Sequence, residues 1–280
     1  MRKPLDGAAT ATMISLCLIW GTQQVALKAI AQEVHPTLQI VIRSLVAGAL
    51  VWIVARLIMR ERWLSGVWHR SGFAVAMFFA VGWFFATQGL SWTSASHMVV
   101  FTYTSPLFAA IGLHLRLPEE RMSSGQWAGM LLAFSGLAIT FLSPRHAQDG
   151  IDAMQGLLGD FFGICAGACW GSATVAVRTS RMSEAPATEV LFYQMVGAVT
   201  LLGPIAWISG HTDLTLTPLV IASLSFQTLV VSFGSYLIWF WMLRHYLAAR
   251  MGGMSLLTPL FGVLLGSLLL GEQTSGRFLL

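Results

Sequence analysis

The chain has 280 residues, 56% of them hydrophobic and only 10% charged, where an ordinary soluble domain carries about 25% charged. So few charges cannot clothe a water-facing surface of this size, and the bilayer is read as the solvent. Sixteen Lys and Arg against twelve Asp and Glu leave a net charge of +4, too little for a nucleic-acid binder. An odd set of cysteines inside apolar runs (Cys17, Cys165, Cys169) gives no disulfide framework.

A helix that crosses a bilayer needs about 20 mostly apolar residues. Segments of that kind run at 9–31, 37–59, 72–91, 94–115 and 125–142, then at 156–177, 188–209, 217–240 and 247–270. Nine complete helices are therefore predicted. The first follows Arg2 and Lys3 as a signal peptide would, but it has a counterpart later in the chain and is kept as a span. With the N-terminus cytoplasmic, twelve of the sixteen cations fall in inside loops, among them Arg56, Arg60, Arg62, Arg116, Arg121, Arg178 and Arg244. Only Lys28, Arg145 and Arg277 fall outside, with Arg43 within the second helix. That bias orients the chain as a multi-pass membrane protein with its N-terminus on the cytoplasmic side.

A shift of 150 positions lays Trp20-Gly-Thr on Trp170-Gly-Ser, Lys28 on Arg178 and Pro36 on Pro186. A shift of 153 lays Thr104-Ser-Pro-Leu-Phe on Leu257-Thr-Pro-Leu-Phe and Glu119 on Glu272. Two repeats of five helices, an odd number, must lie in the membrane with opposite orientation, a recurrent plan of secondary transporters. The expected fold is all-α and polytopic: ten transmembrane helices as two inverted five-helix repeats, 1–145 and 146–280. The tenth helix opens at Ser275-Gly-Arg-Phe278, and the natural chain is expected to run on by about another 20 residues to complete it.

The pattern Pro106-Leu-Phe, Leu117-Pro-Glu-Glu-Arg, Ser124-Gly-Gln-Trp-Ala-Gly129 and Ser135-Gly136 resembles the EamA-type repeat of the drug/metabolite transporter superfamily. A second copy stands at Pro259-Leu-Phe, Leu270-Gly-Glu272 and Ser275-Gly-Arg277. The resemblance implies ten helices, cytoplasmic termini and export of small metabolites; within the superfamily the chain is most similar to bacterial aromatic amino-acid exporters.

Pro106 and Pro259 lie near the centres of the fourth and ninth helices, where each removes a backbone hydrogen bond and is expected to kink its helix. Paired breaks in corresponding helices point to a central cavity. Arg43, two turns inside the second helix with Gln39 one turn before it, can hold a substrate carboxylate bidentately; it can equally bond helix-end carbonyls or reach the interface. Their repeat equivalents are Tyr193 and Glu189. Trp20, Trp170, Trp83 and Tyr236 can stack on an aromatic substrate, or anchor at interfaces as such rings often do. Ser225, Thr228, Ser232 and Tyr236 form a polar stripe on the eighth helix, and Gln24, Tyr103 and Thr258 complete the expected lining. Gly159, Gly163, Gly167 and Gly171, four apart, are read as a packing face. Cys165 and Cys169 have no His or acidic companions, so no metal is expected.

No Asp or Glu occupies the middle of a predicted helix, and His97 is read as a packing residue, which favours a facilitator over a proton antiporter. No phosphate-cradling Gly loop encodes an ATP motor, and no cofactor is expected. An intramembrane enzyme would need a nucleophile–base pair or metal cluster at depth, and a sensor would need larger loops. The sequence is therefore read as a secondary exporter, not an enzyme, moving aromatic or bulky apolar amino acids by alternating access. A proton-coupled multidrug or metabolite exporter is the alternative. Its partners would be a small-molecule substrate and membrane lipid, with no nucleic acid; the sequence leaves the oligomeric state open, a monomer included.

Overall fold

The computed structural model describes residues 3–64, 68–93, 95–141 and 153–270, and among these the elements are helices, with no strands. Helix α1 (Gly7–Ala29) starts where the Asp6 carboxylate accepts from the amide of Ala9, 2.8 Å. Helix α2 (Pro36–Ile53) starts on a proline after His35, whose Nδ1 accepts from the Thr37 amide, and runs through a wider π-type turn to Ile58. There follow α3 (Phe73–Leu90), α4 (Ala95–Thr102), α5 (Ser105–Arg116), α6 (Ser124–Phe141), α7 (Ala153–Thr179) and α8 (Ala187–Ile208). Helix α9 (Pro218–Ser225) continues through π-type turns, Phe226–Ser235, into α10 (Tyr236–His245). The described chain ends with α11 (Ala248–Ser255) and α12 (Thr258–Leu270).

Six of these stretches are long and apolar enough to cross a membrane: Pro36–Ile58, Arg70–Leu90, His97–Arg116, Met154–Thr179, Ala187–Ile208 and Pro218–His245. The other three expected spans are helical too: Gln23 and Gln24 dilute the apolar run of α1, Ser-Gly-Gln opens α6, and the last span comprises α11 and α12. The expected start of a tenth helix at Ser275 lies outside the described residues.

The two central prolines do more than kink their helices. The Pro106 ring collides with the carbonyl four residues earlier, and α4 stops there, at Thr102; the Pro259 ring does the same, and α11 stops at Ser255. Two residues then bridge each gap, Tyr103-Thr104 and Leu256-Leu257, at positions that the 153 shift makes equivalent.

Freed carbonyls inside a bilayer need cover, and glycine on the neighbouring helix lets that cover approach. A Cβ on Gly167 of α7 would lie 3.0 Å from the Phe101 carbonyl oxygen and 3.1 Å from that of Thr102. One turn on, a Cβ on Gly171 would meet Phe108 Cβ at 2.6 Å; its repeat counterpart Gly21 on α1 would meet Phe261 Cβ on α12 at 2.8 Å. The glycine stripe is thus a packing face against the broken helix, and α1 against α12 reproduces the contact of α7 against α5. At the middle of the bundle α3 packs on both α7 and α8, and α2 on α8 and on the Phe226–Ser235 stretch.

Gly167→Val should therefore lower stability by about 1–3 kcal/mol or more, read as a fall in detergent melting temperature. Gly129→Ala, where a Cβ meets nothing within 4 Å, should leave that temperature unchanged.

Candidate functional site

The two helix breaks, the middle of α2, α3 and α7 and the start of α10 bring a set of aromatic rings together around Arg43. Arg43 is 1% exposed, and its guanidinium carbon lies 4.6 Å from the centroid of the Trp83 ring. Trp83 meets Trp170 edge-on at 5.0 Å, and Phe79 stands 6.3 Å from both Trp83 and Tyr236. Tyr236 is the polar neighbour of the guanidinium. On the far side Trp20 donates from Nε1 to Ser235 Oγ, 2.9 Å, and packs edge-on against Trp239 at 5.5 Å. At the first break Tyr103 faces Thr258 at the second, with Tyr236 and Cys17 close by.

Arg43 Nε and Nη1, the indole Nε1 of Trp83 and Trp170, and the hydroxyls of Ser232 and Thr258 are all buried without a protein hydrogen-bond partner. Magnitudes decide what this means for Arg43. Burying an ion costs several kcal/mol, and one desolvated cation–π contact returns about 2 kcal/mol. Its Nε and Nη1 bond to no helix-end carbonyl, the side chain is buried, and Tyr236 is its hydrogen-bonding neighbour. What the arrangement can do chemically is take an anion: two donor nitrogens of a planar cation, with indole N–H groups and aromatic faces around them.

Both ends of the bundle are closed, by different means. At the arginine-bearing end Glu120 is 2% exposed and pairs with Arg178, while accepting from the amides of Ala248 and Ala249 at 3.1 Å each. Arg178 Nη1 also donates to the Leu243 carbonyl, 3.0 Å. One buried ion pair thus satisfies the end of α10 and the start of α11. At the opposite end the closure is neutral. The Gln227 amide donates to Gln39 Oε1, 2.9 Å, and to Ser223 Oγ, 3.1 Å; Gln39 Nε2 donates to the Val34 carbonyl, 2.9 Å, and Ser223 to that of Ala26, 2.7 Å. Above it the His35 and His211 rings stack face to face at 3.6 Å.

Of the expected lining, Trp20, Arg43, Trp83, Tyr103, Trp170, Ser232, Tyr236 and Thr258 come together here, with Pro106 and Pro259 buried beside them at the breaks. Four others sit elsewhere. Gln24 is exposed on α1 while Gln23 is buried, a difference of one position on the helix face. Gln39 is committed to the amide network, and Tyr193 packs its ring against Gly72 towards the arginine-bearing end. Ser225 is exposed, because the π-type turns from Phe226 rotate the stripe onto Ser223, Gln227, Thr228 and Ser232. His97 is not a simple packing residue: its Nδ1 lies 3.2 Å from both carboxylate oxygens of Asp160, which also accepts from Thr93 Oγ1 at 2.6 Å.

A family model described as the EamA-like transporter family matches residues 8–142 and again 157–280. The chain belongs to the EamA-like transporter family. It is similar to the uncharacterized transporter YoaV of Bacillus subtilis (strain 168), 24% identical over 269 residues that cover 96% of this chain and 90% of the relative. It is likewise similar to the uncharacterized transporter YvbV of the same organism, 23% identical and covering 96% and 87%. A solved crystal structure shares the fold, with a TM-score of 0.77 over 98% of this chain and 92% of that one at 18% identity. This EamA-like protein is a multi-pass membrane transporter.

Sequence reasoning missed the closures of this EamA-like transporter. Glu120 stands in the family-like Leu117-Pro-Glu-Glu-Arg run and Arg178 matches Lys28, but nothing local says that these two meet. Glu120→Gln should cost about 3–5 kcal/mol by removing the carboxylate charge from beside the buried Arg178, measured by chemical denaturation in micelles, with Glu120→Gln/Arg178→Gln recovering part of it. The opposite end should respond to pH. Burial, then the neighbouring His211, holds the His35 pKa below its ordinary 6.5. The stacked contact is therefore intact above pH 6.5 and weakens as the pH falls through the lowered value. Protection factors at Thr37 and Gln39, which correct the exchange rates for their intrinsic pH dependence, should fall as the pH drops from 7.5 to 5, and His35→Gln should flatten that fall.

Proposed function

We propose that this transporter exports small amphipathic carboxylates, with aromatic or bulky apolar amino acids as the favoured class. The observation that carries the reading is the Arg43 guanidinium, buried with Nε and Nη1 unpartnered against Trp83, Trp170 and Tyr236. A carboxylate on those two nitrogens would complete the hydrogen bonding that the fold leaves open. The indole and phenol faces would receive the apolar side chain, and the Tyr103, Tyr236 and Thr258 oxygens can accept from an α-ammonium group.

The route is alternating access between two inverted halves, 1–145 and 146–280, within a ten-helix plan. Supporting it are the equivalent breaks before Pro106 and Pro259, the matched contacts of Gly171 and Gly21, and closures that each join the two halves of the chain. The arginine-bearing end, holding Lys3, Arg56, Arg62, Arg121, Arg178 and Arg244, would face the cytoplasm of a bacterium across its inner membrane. Transport would run down the substrate gradient. The second reading, proton coupling, is favoured by one observation, the partly buried His97–Asp160 pair.

Counterflow in proteoliposomes without a pH gradient tests this, using labelled tryptophan, phenylalanine, leucine, lysine and glutamate. Tryptophan and phenylalanine should accumulate and lysine and glutamate should not. Arg43→Gln should reduce that uptake about ten- to hundredfold, the equivalent of one lost charged hydrogen-bonding partner. Equal uptake of all five, or full activity in Arg43→Gln, would overturn the assignment. Uptake that appears only with an imposed pH gradient would select proton coupling.

A further inference from the structure

On the outside of the bundle, away from the aromatic cluster, a groove of about 380 Å³ runs between α2 and α8. Leu45, Gly48, Ala49 and Trp52 line one wall and Phe192 and Val196 the other, so its surface is apolar. Gly48 is what gives it depth, since a Cβ there would already touch Met195 Cβ at 3.1 Å. The lining runs from Ser44 to Ile53 on α2 and from Phe192 to Thr200 on α8, across the middle of both spans and on towards the arginine-bearing end. At 1.5 Å per residue that is roughly 14 Å of length.

The groove leads to a cationic shelf. Phe192 meets Trp63 at 5.0 Å, and the Arg56 guanidinium lies over Trp63 at 5.6 Å. Arg60 and Arg62 are exposed in the same turn, and Arg60 is held at a φ of 51°, which fixes the bend of the chain there. The acidic groups nearby are Glu61, which accepts from the Thr188 hydroxyl, and Glu189, which accepts from the Leu64 amide at 2.9 Å. Three arginines therefore stand against two carboxylates, an excess of one positive charge; Arg56 donates from Nη1 to the Glu61 carbonyl at 3.2 Å, and the Trp63 Nε1 donor is buried without a partner.

Inside a bilayer an apolar groove exerts no hydrophobic pull, because lipid tails are as apolar as its walls. Preference for an occupant comes from the head, and three arginines at the headgroup level select negative charge. We infer that this groove holds one acyl chain of an anionic phospholipid whose phosphate is bound by Arg56, Arg60 and Arg62. A second copy of the chain is a poorer occupant, since a symmetric contact would bring like arginine clusters together. As α2 and α8 come from different halves of the chain, the lipid bridges them and favours the arrangement seen here.

The test uses the full chain purified in detergent and titrated with phosphatidylglycerol or phosphatidylcholine of identical tails, with bound lipid counted by native mass spectrometry. Phosphatidylglycerol should be retained and phosphatidylcholine lost. Glycerol phosphate, which has no tail, should fail to compete. Arg56→Gln/Arg60→Gln/Arg62→Gln should erase the preference, at about fivefold per arginine, and Ala49→Trp should reduce retention of both lipids. In the unaltered protein, phosphatidylglycerol brominated on its tails should quench tryptophan emission, and Trp52→Phe should remove part of that quenching. Equal retention of the two lipids, or quenching unchanged in Trp52→Phe, would overturn the inference. So would cross-linking of an Ala49→Cys variant into dimers through the groove.

Discussion

A proline in the middle of a membrane helix frees the carbonyl four residues before it, and in hydrocarbon that carbonyl must be covered by protein. Most of the architecture answers to this constraint at Pro106 and Pro259. The helices stop at Thr102 and Ser255, and glycine on α7 and α1 brings a neighbouring backbone close enough to pack against the restarted helices. A larger residue on Gly167 or Gly171 would hold α7 away and leave polar backbone facing lipid. The breaks in turn place Tyr103 and Thr258 opposite one another at the centre of the bundle. The central cluster is therefore a consequence of how two interrupted helices are sealed.

Arg43 is affordable only in that setting. An isolated guanidinium at this depth would be costly by any scale, and the ring of Trp83 recovers only part of the cost. Trp83 is held in turn by Trp170, whose ring occupies the space that Gly82 leaves on α3. The aromatic residues thus act as a rigid dielectric shield around a charge whose hydrogen bonding the fold does not complete. A structural arginine, by contrast, looks like Arg178, which has a carboxylate and a carbonyl as partners.

This contrast also marks what could be read in the sequence. Helix positions, the doubled pattern and the two proline sites follow from periodicity and spacing, which are local properties. Arg43 was legible as a costly charge with structural and binding roles both open, and Trp20, Trp83 and Trp170 as repeated rings that could stack on a substrate or anchor the helices. Gln24 and Ser225 were misplaced because α-helical spacing was assumed, whereas a single position on α1 and the π-type turns after Phe226 change which face looks inward. Asp160 beside His97, Glu120 beside Arg178 and Gln227 beside Gln39 could not be read at all. Each pair joins residues 58 to 188 positions apart, and helix packing alone decides which such residues meet.

The two closures differ in kind, and the difference has a direction. Separating the arginine-bearing end breaks a carboxylate from a guanidinium and two amides, all charge-assisted contacts of about 1.5–3 kcal/mol each. Separating the other end breaks neutral amide and hydroxyl bonds of about 0.5–1.5 kcal/mol each and a stack of imidazoles. If the halves rock as proposed, the end without the ion pair opens at lower cost. An anion at Arg43 supplies the partner that the buried cation lacks whichever end is open, so it shifts this balance only by the difference in its affinity for the two states. A bundle of this design, empty of substrate, would therefore favour opening on the neutral side.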